Sequence, residues 1–148
     1  MSSRDWQLDP RLADDSHPLA QLDLSELRLF DDGNYPWLLL VPRVVDAREL
    51  IDLSASQQRV LLAEIDHCSR VLLARFAPDK LNIAALGNRV EQLHVHLIAR
   101  YRDDPAWPDP VWGRGPPRRY SPEALVERVE RLHPVLHARE LREQRQPT

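Results

Sequence analysis

The segment spanning residues 87–98 reads Gly-Asn-Arg-Val-Glu-Gln-Leu-His-Val-His-Leu-Ile, and its second half alternates between polar and apolar side chains. This period of two predicts a β-strand over residues 93–100. His94 and His96 lie on one face of that strand, about 7 Å apart along the chain. The opposite face is apolar and anchors the strand to a core through Leu93, Val95 and Leu97.

Neighbouring segments predict more of an α+β domain. Residues 24–30 and 37–41 have the composition of strands, and the turn signal between them predicts a hairpin. Ser54 and Gln57 match a capping box, which predicts a long helix that ends before Pro78. The core-facing stripe of that helix is expected at Leu61, Ile65, Cys68, Leu72 and Phe76.

The remaining elements predict a single domain over residues 1–148. Residues 81–86 have the pattern of a strand, and Ser121 followed by Pro122 predicts the start of a shorter C-terminal helix. Because proline lacks an N–H donor and restricts φ, the proline-rich stretch between residues 105 and 122 is expected to be irregular. We therefore expect an antiparallel sheet with one long helix across one face and a C-terminal helix. The expected parts are a core over about 22–102, a proline-rich loop over 103–122, and a C-terminal helix and tail over 121–148.

Composition excludes several classes of protein. The chain has 148 residues, with 20 Lys and Arg against 23 Asp and Glu, and a net charge of −3 does not suit a protein that coats nucleic acid. The single cysteine, Cys68, excludes an internal disulfide. No apolar run approaches the roughly 20 residues of a membrane helix, and the first residues lack the apolar region of a secretory signal. We expect a cytoplasmic protein without a membrane or nucleic-acid partner.

Charge is distributed unevenly along the chain. Residues 1–32 hold 3 Arg and 8 acidic residues, whereas residues 113–148 hold 8 Arg and 5 Glu. Three interpretations follow: both ends are solvated, one end packs on the other, or the arginine-rich end contacts an anionic ligand.

The two imidazoles of the predicted strand are compatible with three kinds of site. They can bind a metal together with a third ligand such as His17 or His67, act as nucleophile and phosphate contact, or face solvent. Just upstream, Gly87, Asn88 and Arg89 would allow backbone N–H groups, an amide and a guanidinium to approach an anion. The pattern as a whole favours a site for a phosphate-containing ligand, although the spacing alone leaves the three readings open.

The segment 87–98 resembles the signature of the histidine triad (HIT) family of nucleotide hydrolases and transferases. That signature is His-φ-His-φ-His-φ-φ, with φ apolar, preceded by a phosphate-binding loop. The hairpin over residues 30–43 also resembles the family, and the likeness spans about residues 22–102. Residues 103–148 resemble the tail of a small bacterial branch of the family. Gln92 stands where the first His of the triad would be.

The resemblance implies hydrolysis or transfer at the α-phosphate of a nucleotide derivative, such as a dinucleoside polyphosphate or a nucleoside phosphoramidate. His94 would be the nucleophile that forms a nucleotidyl-histidine intermediate, and His96 would hold the phosphate and the leaving group. Gln92 would present its backbone carbonyl to Nδ1 of His94, which any residue type can do. The alternative is a nucleotide-binding module without useful turnover, marked by Gln92.

The resemblance also implies further contacts. The loop of Gly87, Asn88 and Arg89 would bind the phosphate, and Asp31 would either bind the ribose hydroxyls or be an ordinary turn residue. No metal or cofactor is required. The family pairs its subunits, and the strand over 37–41 carries more large apolar groups than a small sheet can cover, so we expect a homodimer. Trp107 and Trp112 would cover a base or close a small core.

Overall fold

A computed structural model describes residues 4–132 and confirms the α+β class. One antiparallel sheet has the strand order β1-β2-β3-β5-β4. Its strands are β1 (Ser16–Gln21), β2 (Ser25–Phe30), β3 (Trp37–Pro42), β4 (Lys80–Ala84) and β5 (Val95–Arg100). The α-helices of the described residues are α1 (Pro10–Asp14), α2 (Ala55–Phe76) and α3 (Pro122–Arg131), with a short 3₁₀ helix at Leu50–Asp52.

The long helix α2 begins and ends as the sequence predicts. Oγ of Ser54 accepts the N–H of Gln57 at 3.1 Å, and the Gln57 side chain accepts the N–H of Ser54 at 2.9 Å. The helix ends at Phe76, where Ala77 adopts a left-handed conformation with φ 44° just before Pro78. The predicted stripe faces the sheet and joins one apolar cluster with the inward side chains of β2, β3 and β5.

Strand β5 separates two environments, as the alternation of its residues predicts. Val95 and Leu97 are buried in the cluster beneath α2, whereas His96 and Ile98 lie on the other face, where Ile98 packs in a separate aromatic cluster. The regular strand is shorter than expected and begins at Val95, so His94 lies just before it. Its neighbours are β3 and β4, with His96 opposite Leu39 on one side and opposite Ala84 on the other.

The N-terminal segment contributes a helix and a strand that the sequence patterns do not predict. Helix α1 is only five residues long, with Asp9 as its N-cap and Pro10 in its first turn. Strand β1 pairs with β2 at the edge of the sheet and is irregular between Pro18 and Ala20. A single helical turn and an edge strand interrupted by proline are too short to show a clear period. The sheet therefore starts upstream of the core expected at residues 22–102.

The apolar side chains of strand β3, which are one of the two grounds for predicting a homodimer, are covered within the chain. Strand β3 is buried along its whole length, and its side away from α2 is covered within the chain. Ala106 and Val111, from the loop after β5, pack against Trp37, while Leu12 of α1 packs against Val41. The apolar side chains of β3 are thus covered within the chain, and the homodimer stays a prediction.

The two charged ends of the chain meet, which is one of the predicted alternatives. Arg119 lies 3.0 Å from the carboxylate of Asp31 and 3.8 Å from that of Asp15. The backbone of the same segment pairs with the hairpin loop, since Gly33 donates its N–H to the carbonyl of Arg118 at 2.6 Å. Helix α3 then begins at Ser121, whose hydroxyl accepts the N–H of Ala124. The predicted end of this helix at Pro134 and the following tail lie outside the described residues.

Candidate active site

His94 is held in one tautomer by the backbone. Its Nδ1 lies 2.7 Å from the carbonyl oxygen of Gln92. Because a carbonyl only accepts hydrogen bonds, Nδ1 of His94 must carry the proton. In the neutral ring Nε2 is therefore unprotonated and has a free lone pair. The side chain is only 7% exposed, so little of this ring is in contact with water.

His96 is held in the opposite tautomer by Trp37. The indole Nε1–H of Trp37 donates to Nδ1 of His96 at 3.0 Å. An indole nitrogen is only a donor, so Nδ1 of His96 is the unprotonated nitrogen and Nε2 carries the hydrogen. Burial, with a smaller contribution from the neighbouring His94, lowers the pKa of His96 to about 3. Neutral His96 thus offers an N–H donor next to the lone pair of His94.

Aromatic rings fix the position of this pair. The imidazole centroids of His94 and His96 are 5.0 Å apart. Trp112 approaches His96 edge-on, with centroids at 5.0 Å, and Phe30 stacks on Trp37 at 4.1 Å. His96 is therefore enclosed by rings from β2, β3 and the proline-rich loop, and its orientation is restricted by packing as well as by its hydrogen bond.

A cavity of about 400 Å³ opens in front of the two imidazoles. Gly87 adopts φ +79°, a left-handed conformation that favours glycine, and turns the chain so that Asn88 and Arg89 reach the cavity. The side chains of Asn88 and Arg89 are exposed and make no hydrogen bond or ion pair with any other described residue. The full lining also includes Leu12, Asp15, Phe30, Leu86, Val90, His94, His96, Trp112 and Gly113.

Hydrogen bonds from the side chains of Gln92 and Arg11 hold the N-terminal segment against this site. The carboxamide of Gln92 accepts the N–H of Asp9 at 2.8 Å and donates to the carbonyl of Gln7 at 2.8 Å. Arg11 donates to the carbonyl of Arg89 at 2.7 Å. Gln92 therefore contributes its carbonyl to His94 and its side chain to the segment that precedes α1, so its carboxamide points away from the two imidazoles.

The proline-rich loop reaches the site through a buried ion pair. Arg100, 1% exposed, holds Asp104 at 2.7 Å and also donates to Asn82 and to the carbonyl of Asp109. Desolvation opposes the charged form of Asp104, but hydrogen bonds and the charge of Arg100 outweigh it and lower the pKa of Asp104. Trp107 packs on this guanidinium at 5.8 Å, whereas Trp112 lines the cavity. The two tryptophans thus have different roles, one in packing and one at the site.

Asp31 is placed differently from the expectation for a ribose-binding residue. It is not among the residues that line the cavity. Its carboxylate accepts the N–H of Tyr120 at 2.9 Å and the guanidinium of Arg119 at 3.0 Å, and His17 Nε2 lies 3.2 Å away. These hydrogen bonds outweigh the desolvation of Asp31 and lower its pKa. Asp31 joins the hairpin loop to the arginine-rich segment, and its expected contact with the ribose hydroxyls stays a prediction.

Within the described residues, no third ligand lies beside His94 and His96 to support the metal-binding interpretation. His17 lies on β1 beside Asp31, and His67 lies on α2, which packs on the opposite face of the sheet. Within residues 4–132, no group of three or more His, Cys, Asp or Glu side chains is arranged to hold a metal ion. None of the helices in this range is long and apolar enough to cross a membrane.

Sequence reasoning missed several contributors to the site, among them Trp37, Phe30, Leu12 and Asp15. The sequence pattern at Trp37 indicates only the start of an apolar strand, and its donor role depends on the pairing of β3 with β5. Leu12 and Asp15 belong to a segment without a clear period. In the sequence, the only indication was that tryptophan, a buried residue with one hydrogen-bond donor, needs a partner.

Comparisons with known proteins show which family and which solved structures the chain is similar to. A family model described as the HIT domain matches residues 11–103, which includes most of α1 and all of β1. The crystal structure of a histidine triad protein from Bradyrhizobium japonicum is 47% identical, with 90% of this chain and 99% of that chain covered and a TM-score of 0.87. A histidine triad protein from Marinobacter aquaeolei is 45% identical, with 90% and 98% covered and a TM-score of 0.88.

A third histidine triad protein, from Sinorhizobium meliloti, is 40% identical, with 86% of this chain and 95% of that chain covered and a TM-score of 0.84. No curated protein sequence matches the chain. These matches cover 90%, 90% and 86% of this chain, so they include part of the region after residue 103 that the family model does not match.

Proposed function

Because the chain belongs to the histidine triad (HIT) domain family, we propose that it hydrolyses or transfers at the α-phosphate of a nucleotide derivative. Proteins of this family are generally nucleotide-binding hydrolases or transferases. The observation that carries the proposal is the hydrogen bond between Nδ1 of His94 and the carbonyl of Gln92. This hydrogen bond leaves Nε2 of neutral His94 unprotonated, with its lone pair on the cavity side of the sheet, as a nucleophile requires.

In the first step, Nε2 of His94 attacks the α-phosphorus of the substrate. A P–N bond forms, and the bond from phosphorus to the leaving group breaks with its electron pair on the leaving group. In the second step, water attacks the same phosphorus, and the P–N electron pair returns to Nε2. The products are a nucleoside monophosphate and the free enzyme, with one proton from the water released. The covalent intermediate divides one difficult substitution into two easier ones.

The neighbouring donors stabilise the charge that develops on the phosphoryl oxygens. Asn88 and Arg89 border the cavity with side chains free of partners within the described residues, and Gly87 provides the backbone turn that brings them there. The Nε2–H of His96 is a further donor beside the nucleophile. Preorganised donors of this kind supply much of the catalysis in phosphoryl transfer. Dinucleoside polyphosphates and nucleoside phosphoramidates are the substrate classes that fit this scheme.

The intermediate provides a direct test. Protein is mixed with a fluorogenic adenosine phosphoramidate or a dinucleoside polyphosphate, quenched with acid and analysed by mass spectrometry. A nucleotidyl adduct on His94 is expected, and His94→Ala should lose turnover by at least about 10⁴-fold, as for the deletion of other nucleophiles. His96→Ala should keep measurable activity, and His17→Ala is the control for a histidine outside the cavity.

Three other outcomes would contradict the proposal. An adduct mapped to His96, or turnover that survives in His94→Ala, would overturn the assignment of the nucleophile. Nucleotide binding without release of a monophosphate from any substrate would instead favour the non-catalytic binding module.

We further propose that two copies pair through strand β4 into one continuous sheet. Strand β4 is an edge of the sheet, and Ile83 on it is 48% exposed. The other edge, β1, contains Pro18 and an irregular register, which oppose pairing.

The cytoplasmic location also stays a prediction, supported by the free and buried thiol of Cys68.

A further inference from the structure

The leaving group of the proposed reaction determines whether the site must supply a proton. An oxygen of a phosphoric anhydride departs as a phosphate anion and needs no proton. The nitrogen of an alkylamine phosphoramidate is a poor leaving group unless a general acid protonates it as the P–N bond breaks. The substrate class therefore depends on whether a proton donor faces the reacting phosphorus.

His96 lies beside the nucleophile, with ring centroids 5.0 Å apart, but its geometry excludes the role of acid. To give a proton and remain neutral, His96 would first have to carry protons on both ring nitrogens. Its Nδ1 instead faces the indole N–H of Trp37 at 3.0 Å, and a proton on Nδ1 would place two N–H groups against each other. Trp37 and His96 are 3% and 5% exposed, and the rings of Phe30 and Trp112 pack against them. His96 is thus a hydrogen-bond donor through Nε2–H and holds no proton to release.

The other polar groups that line the cavity do not supply a general acid either. His94 is the nucleophile, and its proton is directed at a backbone carbonyl. Asp15, the carboxylate among the described residues that line the cavity, forms an ion pair with Arg119. The guanidinium of Arg89 keeps its protons in proteins. At the first position of the triad, the amide of Gln92 does not titrate and binds Gln7 and Asp9 instead.

We infer that this site acts on nucleotides whose leaving group departs as a stable anion, phosphoric anhydrides above all, and discriminates against phosphoramidates of alkylamines. This inference rests on the proposed function and names the substrate class for the same site. As Nε2 of His94 forms the bond to phosphorus, the P–O bond breaks with its electron pair on the leaving phosphate. The Nε2–H of His96 stabilises that anion by a hydrogen bond and keeps its proton. Water then cleaves the P–N bond and gives its proton to the solvent.

The substrate test uses two adenosine compounds with the same alkyl group. One is an adenosine 5′-diphosphate alkyl ester, which releases an alkyl phosphate, and the other is an adenosine 5′-N-alkyl phosphoramidate. We expect kcat/KM to favour the anhydride by at least about 10²-fold, the lower end of the contribution of a general acid. Equal or faster cleavage of the phosphoramidate would overturn the inference while leaving the proposed function intact. Failure to cleave either compound, or any nucleotide conjugate, would overturn both.

A pair of variants ties the preference to Trp37. Trp37→Phe removes the N–H that occupies Nδ1 of His96 but keeps an aromatic ring, so the ratio of the two kcat/KM values should narrow by about tenfold. The control is Trp107→Phe, which removes the indole of the proline-rich loop that packs on Arg100 and should leave the ratio as it is in the wild type. An unchanged ratio in Trp37→Phe would contradict the role of the indole.

A spectroscopic measurement is independent of activity and of the folding of the variant. In ¹⁵N-labelled wild-type protein, the two ring nitrogens of His96 should report an unprotonated Nδ1 and a protonated Nε2 from about pH 8 down to about pH 5. A His96 ring that becomes doubly protonated near its ordinary pKa of about 6.5 would overturn the inference, because His96 could then act as an acid.

Discussion

The side-chain amide of Gln92 and the peptide groups around Leu8 pair like neighbouring β-strands. The amide accepts from the N–H of Asp9 and donates to the carbonyl of Gln7, both at 2.8 Å, which is the pattern by which one residue of a parallel strand binds its partner. Leu8 between them packs on the cluster of Leu12 and Val41. A glutamine at the first triad position therefore holds the N-terminal segment against the site.

The role of Gln92 predicts a change in substrate binding and not a loss of the nucleophile. In Gln92→Ala the backbone carbonyl still holds His94, but two hydrogen bonds to residues 7–9 are lost, each worth about 1 kcal/mol. The wall that contains Leu12 and Asp15 should loosen, so KM should rise by about tenfold while kcat falls less. Hydrogen exchange of residues 4–15 should accelerate in parallel.

Gln58→Ala is the matched control, because the amide of Gln58 also makes two hydrogen bonds to the backbone, in its case to the carbonyls of Leu50 and Leu53, away from the cavity. A loss of kcat in Gln92→Ala with no change in exchange of the N-terminal segment would show that Gln92 acts on the chemistry directly.

Activity should fall as the pH decreases, because Nε2 of His94 must be unprotonated to attack phosphorus. His96 adds no second limb, because burial lowers its pKa to about 3. On its acid side, a plot of kcat/KM against pH should therefore follow the protonation of a single group. A rate that stayed flat between about pH 5 and 8 would contradict a nucleophilic histidine.

The stability of the protein should also depend on pH through His96. Because the pKa of His96 is about 3 in the folded protein and about 6.5 in the unfolded chain, the unfolded state binds the extra proton between these values. The free energy of unfolding should consequently decrease as the pH falls below about 6.5, with a slope of at most about 1.4 kcal/mol per pH unit from this residue. Denaturant unfolding of wild type and His96→Asn at several pH values measures that slope. Equal slopes for the two proteins would indicate that His96 titrates normally.

Pairing through β4 predicts that one exposed isoleucine matters for assembly and another does not. Ile83→Glu should shift the mass measured by light scattering at micromolar concentration from dimer to monomer, because it places a charge on the paired edge. Ile51→Glu is the control, since Ile51 is 85% exposed on the short 3₁₀ helix. A monomer mass for the wild type would rule out the dimer, and a dimer that persists in Ile83→Glu would place the interface elsewhere.

Local patterns account for the parts of the fold that the sequence predicts correctly. The alternation around His94 and His96, the capping box at Ser54 and the N-cap at Ser121 each depend on residues a few positions apart. Such signals are encoded in backbone periodicity and in hydrogen bonds near the chain, so they can be recognised without the tertiary structure. The contact between the carbonyl of Gln92 and His94 is also local, but it was expected from the family resemblance and not from a periodic pattern.

The protonation of His96 depends on contacts between distant parts of the chain. Its partner Trp37 is 59 residues away and is brought there by the pairing of β3 with β5. The Gln92 amide reaches Gln7 and Asp9 across 85 and 83 residues, and Asp31 meets Arg119 across 88. No local period encodes such contacts, because they follow from strand order and from which loop covers each face of the sheet. Sequence patterns thus identified the two histidines, and the packing of the folded chain assigned them different tautomers.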